Sequence, residues 1–175
     1  MRIISGIYKG RNLFTPSDNK VRPTGDRAKE TLFNVLNNHL DFKGIKCIDI
    51  FCGTGNLGLE SISRGAAKCY FADKDTTLVL KNIEKLGAGD KSSVHKTDSV
   101  AFLKKFRDED VDLIFCDPPY NYDNYEELIE SLKELGSFTV LEHSGKFKLY
   151  DAYENFVFIR KKIGTINFTV FDFKK

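Results

Sequence analysis

The amino-acid sequence predicts an α/β fold in which helices cover both faces of a mostly parallel, seven-stranded sheet. From residue 45 onward, short apolar runs alternate with helix-like stretches, the order of strands and crossover helices in a parallel sheet. A glycine-rich segment, Gly53–Gly58, separates the first apolar run from the first helix-like stretch, as expected of a strand–turn–helix unit. The last two runs are separated only by Gly164–Thr165, which suits a C-terminal antiparallel hairpin.

Each predicted element comes from its own stretch of sequence. The candidate strands are Lys46–Phe51, Lys68–Ala72, Ser93–Lys96, Asp112–Cys116, Ser137–Glu142, Phe156–Lys162 and Ile166–Phe171. The candidate helices of this part are Gly55–Arg64, Thr76–Leu86, Ser99–Phe106 and Tyr125–Leu135. The absence of repeats and low-complexity tracts predicts a single compact core over 45–175.

Residues 1–44 are predicted to be an appendage to that core. Arg2–Phe14 is typical of a polar hairpin with Lys9–Gly10 near its turn, and Pro16–Pro23 of a loop. Gly25–Leu40 has apolar residues at helical spacing, which predicts a helix packed on the sheet. These apolar residues are Ala28, Leu32, Val35, Leu36 and Leu40. We expect the hairpin to contribute little to the core and the whole appendage to contact RNA.

Composition excludes several classes of protein. The chain is 41% apolar and 13% aromatic, which is too high for a disordered protein. Met1–Gly10 lacks an apolar signal-peptide core, and no apolar run reaches the roughly 18–20 residues of a membrane span, so we expect a soluble, cytoplasmic monomer. The cysteines lack metal-ligand spacing, which predicts buried thiols and no metal site. They are Cys47, Cys52, Cys69 and Cys116.

Charge is unevenly distributed along the chain. Residues 1–30 hold seven Lys/Arg against three Asp/Glu, residues 160–175 hold five against one, and the middle is acidic. Basic ends suggest contact with nucleic acid, although solvated termini are an equally simple explanation. The candidate RNA-binding residues of the N-terminal part are Arg2, Lys9, Arg11, Arg22 and Arg27.

The first motif that carries chemistry is Asp49–Gly58. Gly53 and Gly55 allow the backbone to turn sharply and approach a ligand, and Gly58 allows the helix to pack near the strand. Asp73 ends the next strand, 18 residues after Gly55, where a carboxylate can bind ribose hydroxyls.

This glycine spacing also matches a dinucleotide-binding fingerprint, and such a match alone is weak. Two features argue against NAD. The motif lies behind 44 residues rather than opening the chain, and Asp49 places a carboxylate where a pyrophosphate would gain nothing. A cofactor with an amino group and a sulfonium would gain from that negative charge.

The second motif is Asp117-Pro118-Pro119-Tyr120, directly after an apolar strand. Ligand sites of such sheets lie beyond the carboxyl ends of the strands, so this loop should face the same crevice as the glycines. Its prolines stiffen the loop, so that Asp117 and the Pro118 carbonyl can accept from one amino group. Tyr120 offers a face for stacking a base. Asp98 follows the third strand, where it can be a helix N-cap, a contact to the cofactor's adenine, or both.

These motifs resemble, nearly from end to end, the bacterial RsmD-type methyltransferases, which modify the exocyclic N2 of a guanine in small-subunit (16S) ribosomal RNA. The N-terminal hairpin together with Arg22-Pro-Thr24 is the most specific part, whereas Asp-Pro-Pro-Tyr is shared by many amino-methyltransferases. The matching segments are 2–6, 9–11, 22–24, 27, 30–34, 49–60, 63–66, 117–120 and 142–143. Small departures occur at Ser5, Cys52, Thr54 and Asn56.

The resemblance implies a Rossmann-like class I fold dependent on S-adenosylmethionine. It implies a cofactor pocket lined by Asp49, Phe51, Gly53, Gly55 and Leu57. Thr24 would then lie by the methionine end, Asp73 by the ribose and Asp98 by the adenine. Asp117, Pro118 and Tyr120 would hold the target amine, whose nitrogen attacks the cofactor's methyl group.

The predicted substrate is small-subunit ribosomal RNA, naked or in an assembling 30S particle. The principal alternative is a DNA or RNA adenine-N6 methyltransferase, for which 175 residues leave little room for a target-recognition region. A nicotinamide oxidoreductase and a non-catalytic RNA-binding module are weaker alternatives, each distinguished by whether labelled cofactor methylates RNA.

Overall fold

The computed structural model describes residues 1–16, 25–107, 111–145 and 147–174. Its strands are β1 (Lys46–Ile50), β2 (Lys68–Asp73), β3 (Ser92–Lys96), β4 (Leu113–Cys116), β5 (Phe138–His143), β6 (Val157–Ile163) and β7 (Ile166–Asp172). Its α-helices are α1 (Asp26–Asn37), α2 (Asn56–Ser63), α3 (Thr77–Leu86), α4 (Ser99–Lys105) and α5 (Tyr125–Glu134). The predicted strands and core helices are confirmed to within one residue at each end, whereas α1 ends three residues before its predicted end.

The seven strands form one sheet in the order β3-β2-β1-β4-β5-β7-β6. Strands β1 to β5 are parallel, and β7 pairs antiparallel with both β5 and β6. The predicted C-terminal hairpin is therefore confirmed, and its second strand lies inside the sheet. Strands β2 and β3 are added on one side of β1, and β4 and the strands after it on the other side. This change in strand order opens a crevice between the carboxyl ends of β1 and β4.

Alternating side chains of the strands pack in two layers. Cys47, Phe71 and Phe115 point to the face covered by α1, α2 and α3. Ile48 and Ile114 point to the opposite face, which α4 and α5 cover. Because both faces of the central strands are buried, their sequences are nearly continuous apolar runs, which is how the sequence predicted them.

The N-terminal segment is part of this core rather than a loose addition, which corrects the expectation that the hairpin contributes little. Ile3 and Leu13 are buried in the same cluster as α1, α2 and α3. Arg2 and Asn12 form an antiparallel bridge, so the hairpin is confirmed in a short form. Its turn docks on the end of α2, where the Ile7 N–H donates to the Ser63 carbonyl at 2.8 Å.

Two expectations for the N-terminal part stay predictions. The loop predicted over 16–23 lies outside the described residues, apart from its first residue. The boundary placed at residue 44 is likewise a prediction, because the segment before it packs on the same core as the segment after it.

All four cysteines are buried free thiols, as predicted. None of the helices in the described ranges is long and apolar enough to cross a membrane. Within the same ranges, no three His, Cys, Asp or Glu side chains are grouped so that they could hold a metal ion.

Candidate active site

A tight turn connects β1 to α2 at the carboxyl edge of the sheet. Phe51, Gly53 and Gly55 have positive φ angles of 55°, 50° and 74°. Such a conformation is costly for Phe51, a bulky residue, and strain of this kind clusters at functional sites. The Phe51 N–H donates to Ser99 Oγ at 3.1 Å, and the Phe51 ring packs edge-on against Tyr122. The start of α4 therefore holds the turn that begins the glycine motif.

Two glycines of the motif are required by close packing. A Cβ at Gly55 would lie 2.6 Å from a methyl group of Val79 on α3. A Cβ at Gly58 would lie 2.4 Å from the ring of Phe71 and 2.6 Å from the sulfur of Cys69, both on β2. The predicted role of Gly58 in close packing of helix on strand is thus confirmed.

Asp49 is a buried carboxyl beneath this turn, with 3% of its surface exposed. Its Oδ2 accepts from the Gly58 N–H at 2.9 Å, which ties the strand to the first turn of α2. Burial, aided by repulsion from Asp73, raises the pKa of Asp49 to about 8 despite that hydrogen bond. A buried acid of this kind is stabilised in its charged form by a nearby positive charge.

Two further carboxylates lie at the ends of β2 and β3. Asp73 Oδ2 accepts from the Gly53 N–H at 2.9 Å, so this side chain also supports the glycine turn. Asp98 is the N-cap of α4, as predicted, because its Oδ1 accepts from the N–H groups of Val100 and Ala101. Those bonds, led by the one from Ala101, and its ion pair with Lys74 lower the pKa of Asp98.

The arrangement fits a cofactor that carries positive charge and hydroxyl groups. A Cβ at Gly53 would meet no atom within 4 Å, so the space beside this backbone is open to a ligand. Three carboxyls, from Asp49, Asp73 and Asp98, lie at the ends of three adjacent strands around it. Leu57, unlike Gly53, does not border open space, because it is buried in the core between the sheet and α1–α3. Its contact with cofactor stays a prediction.

The second motif lies across the crevice, directly after β4. Pro118 is buried, whereas Pro119 and Tyr120 are exposed, with 73% of Tyr120 accessible. The Tyr122 N–H donates to the Pro119 carbonyl at 2.8 Å and closes the turn. Tyr120 also lines the cavity described below, so its exposed ring is available to a planar ligand there.

Asp117 and Glu142 are neighbours at the carboxyl edge of the sheet. Cys116 of β4 is in register with Leu141 of β5, so the residue after each lies beside the other. Burial raises the pKa of Asp117 well above its usual range, and repulsion from Glu142 and then from Asp49 adds to this effect. The two motifs predicted from sequence thus share one electrostatic environment.

A cavity of about 670 Å³ opens beside these residues. Its walls are α1, the β6–β7 hairpin, Tyr120 and Glu142. The charged residues lining it are Arg27, Lys161, Lys162 and Glu142. The volume lies within the range of small-ligand pockets, and the charge of the lining is mostly positive.

The predicted RNA-binding residues that the structure describes differ in their surroundings. Arg27 lines the cavity beside Tyr120. The side chain of Arg2 pairs with Asp26 at 3.2 Å, and Arg11 reaches the Leu86 carbonyl at the end of α3. The hairpin that carries Lys9 and Arg11 docks on the end of α2, one helix length from the glycine turn. Arg22 and Thr24 lie outside the described residues, and all five RNA contacts remain predictions.

Sequence reasoning missed a buried polar network that joins the N-terminal segment to the glycine motif. Lys29 Nζ donates to Asn56 Oδ1 at 2.7 Å and to the Arg2 carbonyl at 2.7 Å, and it pairs with Glu60 at 3.1 Å. Glu60 also accepts from the N–H groups of Ile4 and Ser5 and pairs with the Arg64 guanidinium. Charged residues on helices usually face solvent, so no local pattern distinguished these.

Asn82 makes a second such link. Its side-chain amide donates to the carbonyls of Phe14 and Thr54, at 3.1 Å and 2.9 Å, and its oxygen accepts from the Phe14 N–H at 2.7 Å. Thr54 belongs to the glycine motif, so α3 connects that motif to the N-terminal chain. A signal was present in the sequence, since Asn82 is a polar residue on the apolar side of its helix.

Comparison with known proteins identifies the family and the fold of this chain. A family model described as conserved hypothetical protein 95 matches residues 1–172. Ribosomal RNA small subunit methyltransferase D of Haemophilus influenzae is 37% identical over 139 residues, which cover 77% of this chain and 71% of that protein.

Solved structures share the fold. The solved structure of a putative methyltransferase, yhhF from Escherichia coli, is 30% identical, has a TM-score of 0.80, and matches over 98% of this chain and 96% of that one. A magnesium protoporphyrin IX methyltransferase from Synechocystis with bound S-adenosylmethionine has a TM-score of 0.62 at 17% identity, over 83% and 76% of the two chains. The latter likeness concerns the fold alone. The chain therefore belongs to the conserved hypothetical protein 95 family, that of the RsmD-type enzymes, and is an S-adenosylmethionine-dependent methyltransferase.

Proposed function

We propose that this enzyme methylates the exocyclic N2 amino group of a guanine in small-subunit (16S) ribosomal RNA. The observation that carries the proposal is the position of Asp117–Tyr120. The loop follows β4, next to the glycine motif that follows β1, at the point where the strand order reverses. An amine held by this loop lies at the same edge of the sheet as the cofactor carboxylates. The names of the relatives supply the substrate class.

The chemistry requires the protein to activate a poor nucleophile. An exocyclic amine is weakly nucleophilic because its lone pair is delocalised into the ring. When bound, S-adenosylmethionine supplies an electrophilic methyl group. Asp117 and the Pro118 carbonyl accept the amine hydrogens and favour a tetrahedral nitrogen. The raised pKa of Asp117 makes its carboxylate a better proton acceptor than an ordinary aspartate. Asp49, Asp73 and Asp98 orient the cofactor, so catalysis rests on positioning and electrostatics.

Tyr120 prepares the base for this reaction. A base inside a helix cannot reach the crevice, so it must be unstacked, at about a few kcal/mol when paired and less in a loop. The exposed ring of Tyr120 replaces part of the lost stacking. We further propose that the enzyme acts in the cytoplasm, as a monomer, on ribosomal RNA or an assembling small-subunit particle.

The test is to locate the transferred methyl group. The protein is incubated with methyl-labelled cofactor and either small-subunit particles or naked RNA, and the labelled nucleoside is identified. We expect N2-methylguanosine at one site, with Asp117→Ala as the inactive control. Label on adenine N6 would instead support the alternative that Asp-Pro-Pro-Tyr motifs allow. Label on neither base would refute the proposal.

A further inference from the structure

The cavity beside Tyr120 has a composition that selects among nucleotides. Three of its charged lining residues are cationic, namely Arg27 on α1 and Lys161 and Lys162 on β6. Glu142 is the one anionic side chain among the described lining residues, and it lies on β5 beside Asp117. Several cations around a single carboxylate suit a ligand that carries both phosphate groups and hydrogen-bond donors.

The register of the sheet fixes where that carboxylate lies. Strands β4 and β5 pair in parallel with Cys116 opposite Leu141, and adjacent strands are roughly 4.8 Å apart. Asp117 and Glu142 therefore follow as the next pair along the edge. An amine at Asp117 consequently brings the atoms next to it on the base within reach of Glu142.

The purines differ in what they place beside their amino group. In guanine two ring nitrogens flank the N2 amine: N3, which is an acceptor, and N1, which carries a hydrogen. On the N1 side, therefore, two donors lie side by side on one edge. In adenine the ring nitrogen next to the N6 amine is an unprotonated acceptor. A carboxylate accepts from two adjacent donors and repels an acceptor lone pair.

We infer that Glu142 is a specificity-determining residue that accepts from guanine N1–H, and that Arg27, Lys161 and Lys162 hold the phosphates flanking the target nucleotide. This inference rests on the proposed function and goes beyond it by naming the base-reading group. The β6–β7 hairpin thereby becomes a wall of the substrate site, whereas the individual RNA-binding residues predicted from the sequence all lie in the N-terminal segment.

The test uses a base that keeps the reacting amine and loses the neighbouring donor. 2-Aminopurine carries the same exocyclic N2 amine, but its N1 has no hydrogen. Wild-type enzyme and Glu142→Gln are compared for kcat/KM on substrate RNA with guanine or 2-aminopurine at the target position. Because hydrogen bonds to charged groups are strong, Glu142→Gln should lower the guanine value roughly 10- to 100-fold. Loss of the Glu142 charge acts on Asp117 with either base, so the ratio of the two values is the diagnostic quantity. The 2-aminopurine value should fall by a smaller factor than the guanine value or should rise, because a glutamine amide can donate to that N1.

Two further variants separate base reading from folding. Glu142→Asp keeps the carboxylate and should retain a preference for guanine over 2-aminopurine at a reduced rate. Glu154→Gln changes an exposed carboxylate that pairs with Arg160 and should alter neither value. Thermal melting of each variant shows whether it folds.

Equal losses on the two bases would overturn the inference and leave the proposed function standing. A Glu142→Gln variant that fully keeps the preference for guanine over 2-aminopurine would also overturn the inference and leave the proposed function standing. Methylation of adenine by the wild-type enzyme would overturn both, since Glu142 would then face an acceptor.

Discussion

Lys29 and Glu60 form an ion pair inside the protein, with 3.1 Å between Nζ and Oε2 and no exposed surface on either side chain. Burial lowers the pKa of Lys29, while the carboxylate of Glu60 opposes that shift. The pair joins α1 to α2, and through Asn56 it reaches the glycine motif. The N-terminal segment and the glycine turn are therefore parts of one polar network.

The first prediction concerns this pair. Lys29→Ala removes the fully buried partner of Glu60 and leaves the Arg64 guanidinium as its counter-charge, and the free energy of unfolding should fall by about 3–5 kcal/mol. Urea denaturation measures the change. Lys104→Ala is the matched control, since Lys104 pairs with Glu127 at the surface and should cost under about 1 kcal/mol. Equal losses in the two variants would show that burial of the pair is unimportant.

The charge of Asp49 should lower the stability of the unliganded protein and raise its affinity for the cofactor. The pKa of Asp49 is about 8 in the folded protein and roughly 3.9 in the unfolded chain. Below pH 4 both states are protonated, so the stabilising contribution is fully present. As pH rises from 4 through 8 that contribution is lost and the free energy of unfolding falls, because the unfolded chain ionises first. Asp49→Asn keeps an acceptor for the Gly58 N–H and carries no such penalty. The Tm of the unliganded variant should exceed that of the wild type, by a margin that grows from pH 4 to pH 8.

The same variant should lose affinity for S-adenosylmethionine, because a neutral amide offers no charge to the sulfonium. The loss for S-adenosylhomocysteine, whose sulfur is neutral, should be smaller. Ligand-dependent melting curves measure both effects. A variant that is less stable without ligand, or that binds both nucleosides as the wild type does, would contradict this account.

Asp73→Ala should weaken binding of both S-adenosylmethionine and S-adenosylhomocysteine. The variant loses the proposed ribose contact and also the acceptor of the Gly53 N–H. Asp75→Ala is the control, because Asp75 is an exposed residue whose Oδ1 accepts from the Thr77 N–H. Titration calorimetry measures the affinities. Heat from NADH, with none from either sulfur nucleoside, would refute the cofactor assignment.

Asp117→Ala should abolish methylation while the fold and cofactor affinity change little, because the residue lies on a loop after β4. In the wild type, single-turnover rates should rise with pH and level off only above the usual range of a carboxyl pKa, since the pKa of Asp117 is raised and its ionised form accepts the amine hydrogens. Asp117→Asn should lack this rising limb. Near-normal turnover in Asp117→Ala would disprove its role as the amine acceptor.

The last prediction compares two basic pairs. Each phosphate neutralised adds roughly 0.7–0.9 to the slope of log affinity against log salt. Replacing Lys161 and Lys162 with alanine should therefore weaken RNA binding and flatten that slope by about one to two units. The same result is expected for replacement of Lys9 and Arg11 with alanine, with cofactor affinity unchanged. RNA affinities measured over a salt series show whether each pair contacts phosphates. An unchanged slope would show that the two side chains of that pair are only solvated surface charges.

Much of the fold could be predicted from the sequence because its signals are local. Apolar runs such as Lys46–Ile50 need only their own composition to be recognised as strands. The glycine motif and Asp117–Tyr120 could be predicted as site residues because each follows such a run, and the ends of parallel strands meet at one edge. The N-cap role of Asp98 depends on two hydrogen bonds within its own helix turn.

What only the tertiary structure decided depends on residues far apart in the chain. Lys29 and Glu60 are ordinary helix residues until α1 is packed on α2, and their burial depends on that packing. Glu142 becomes a candidate base reader only through the register of β5 with β4, and Lys161 joins it because β7 places β6 beside the crevice. The sequence determined the class of fold and the chemistry of the motifs through local periodicity. Which side chains surround those motifs was decided by the pairing of strands and packing of helices far apart in the chain, which no local pattern encodes.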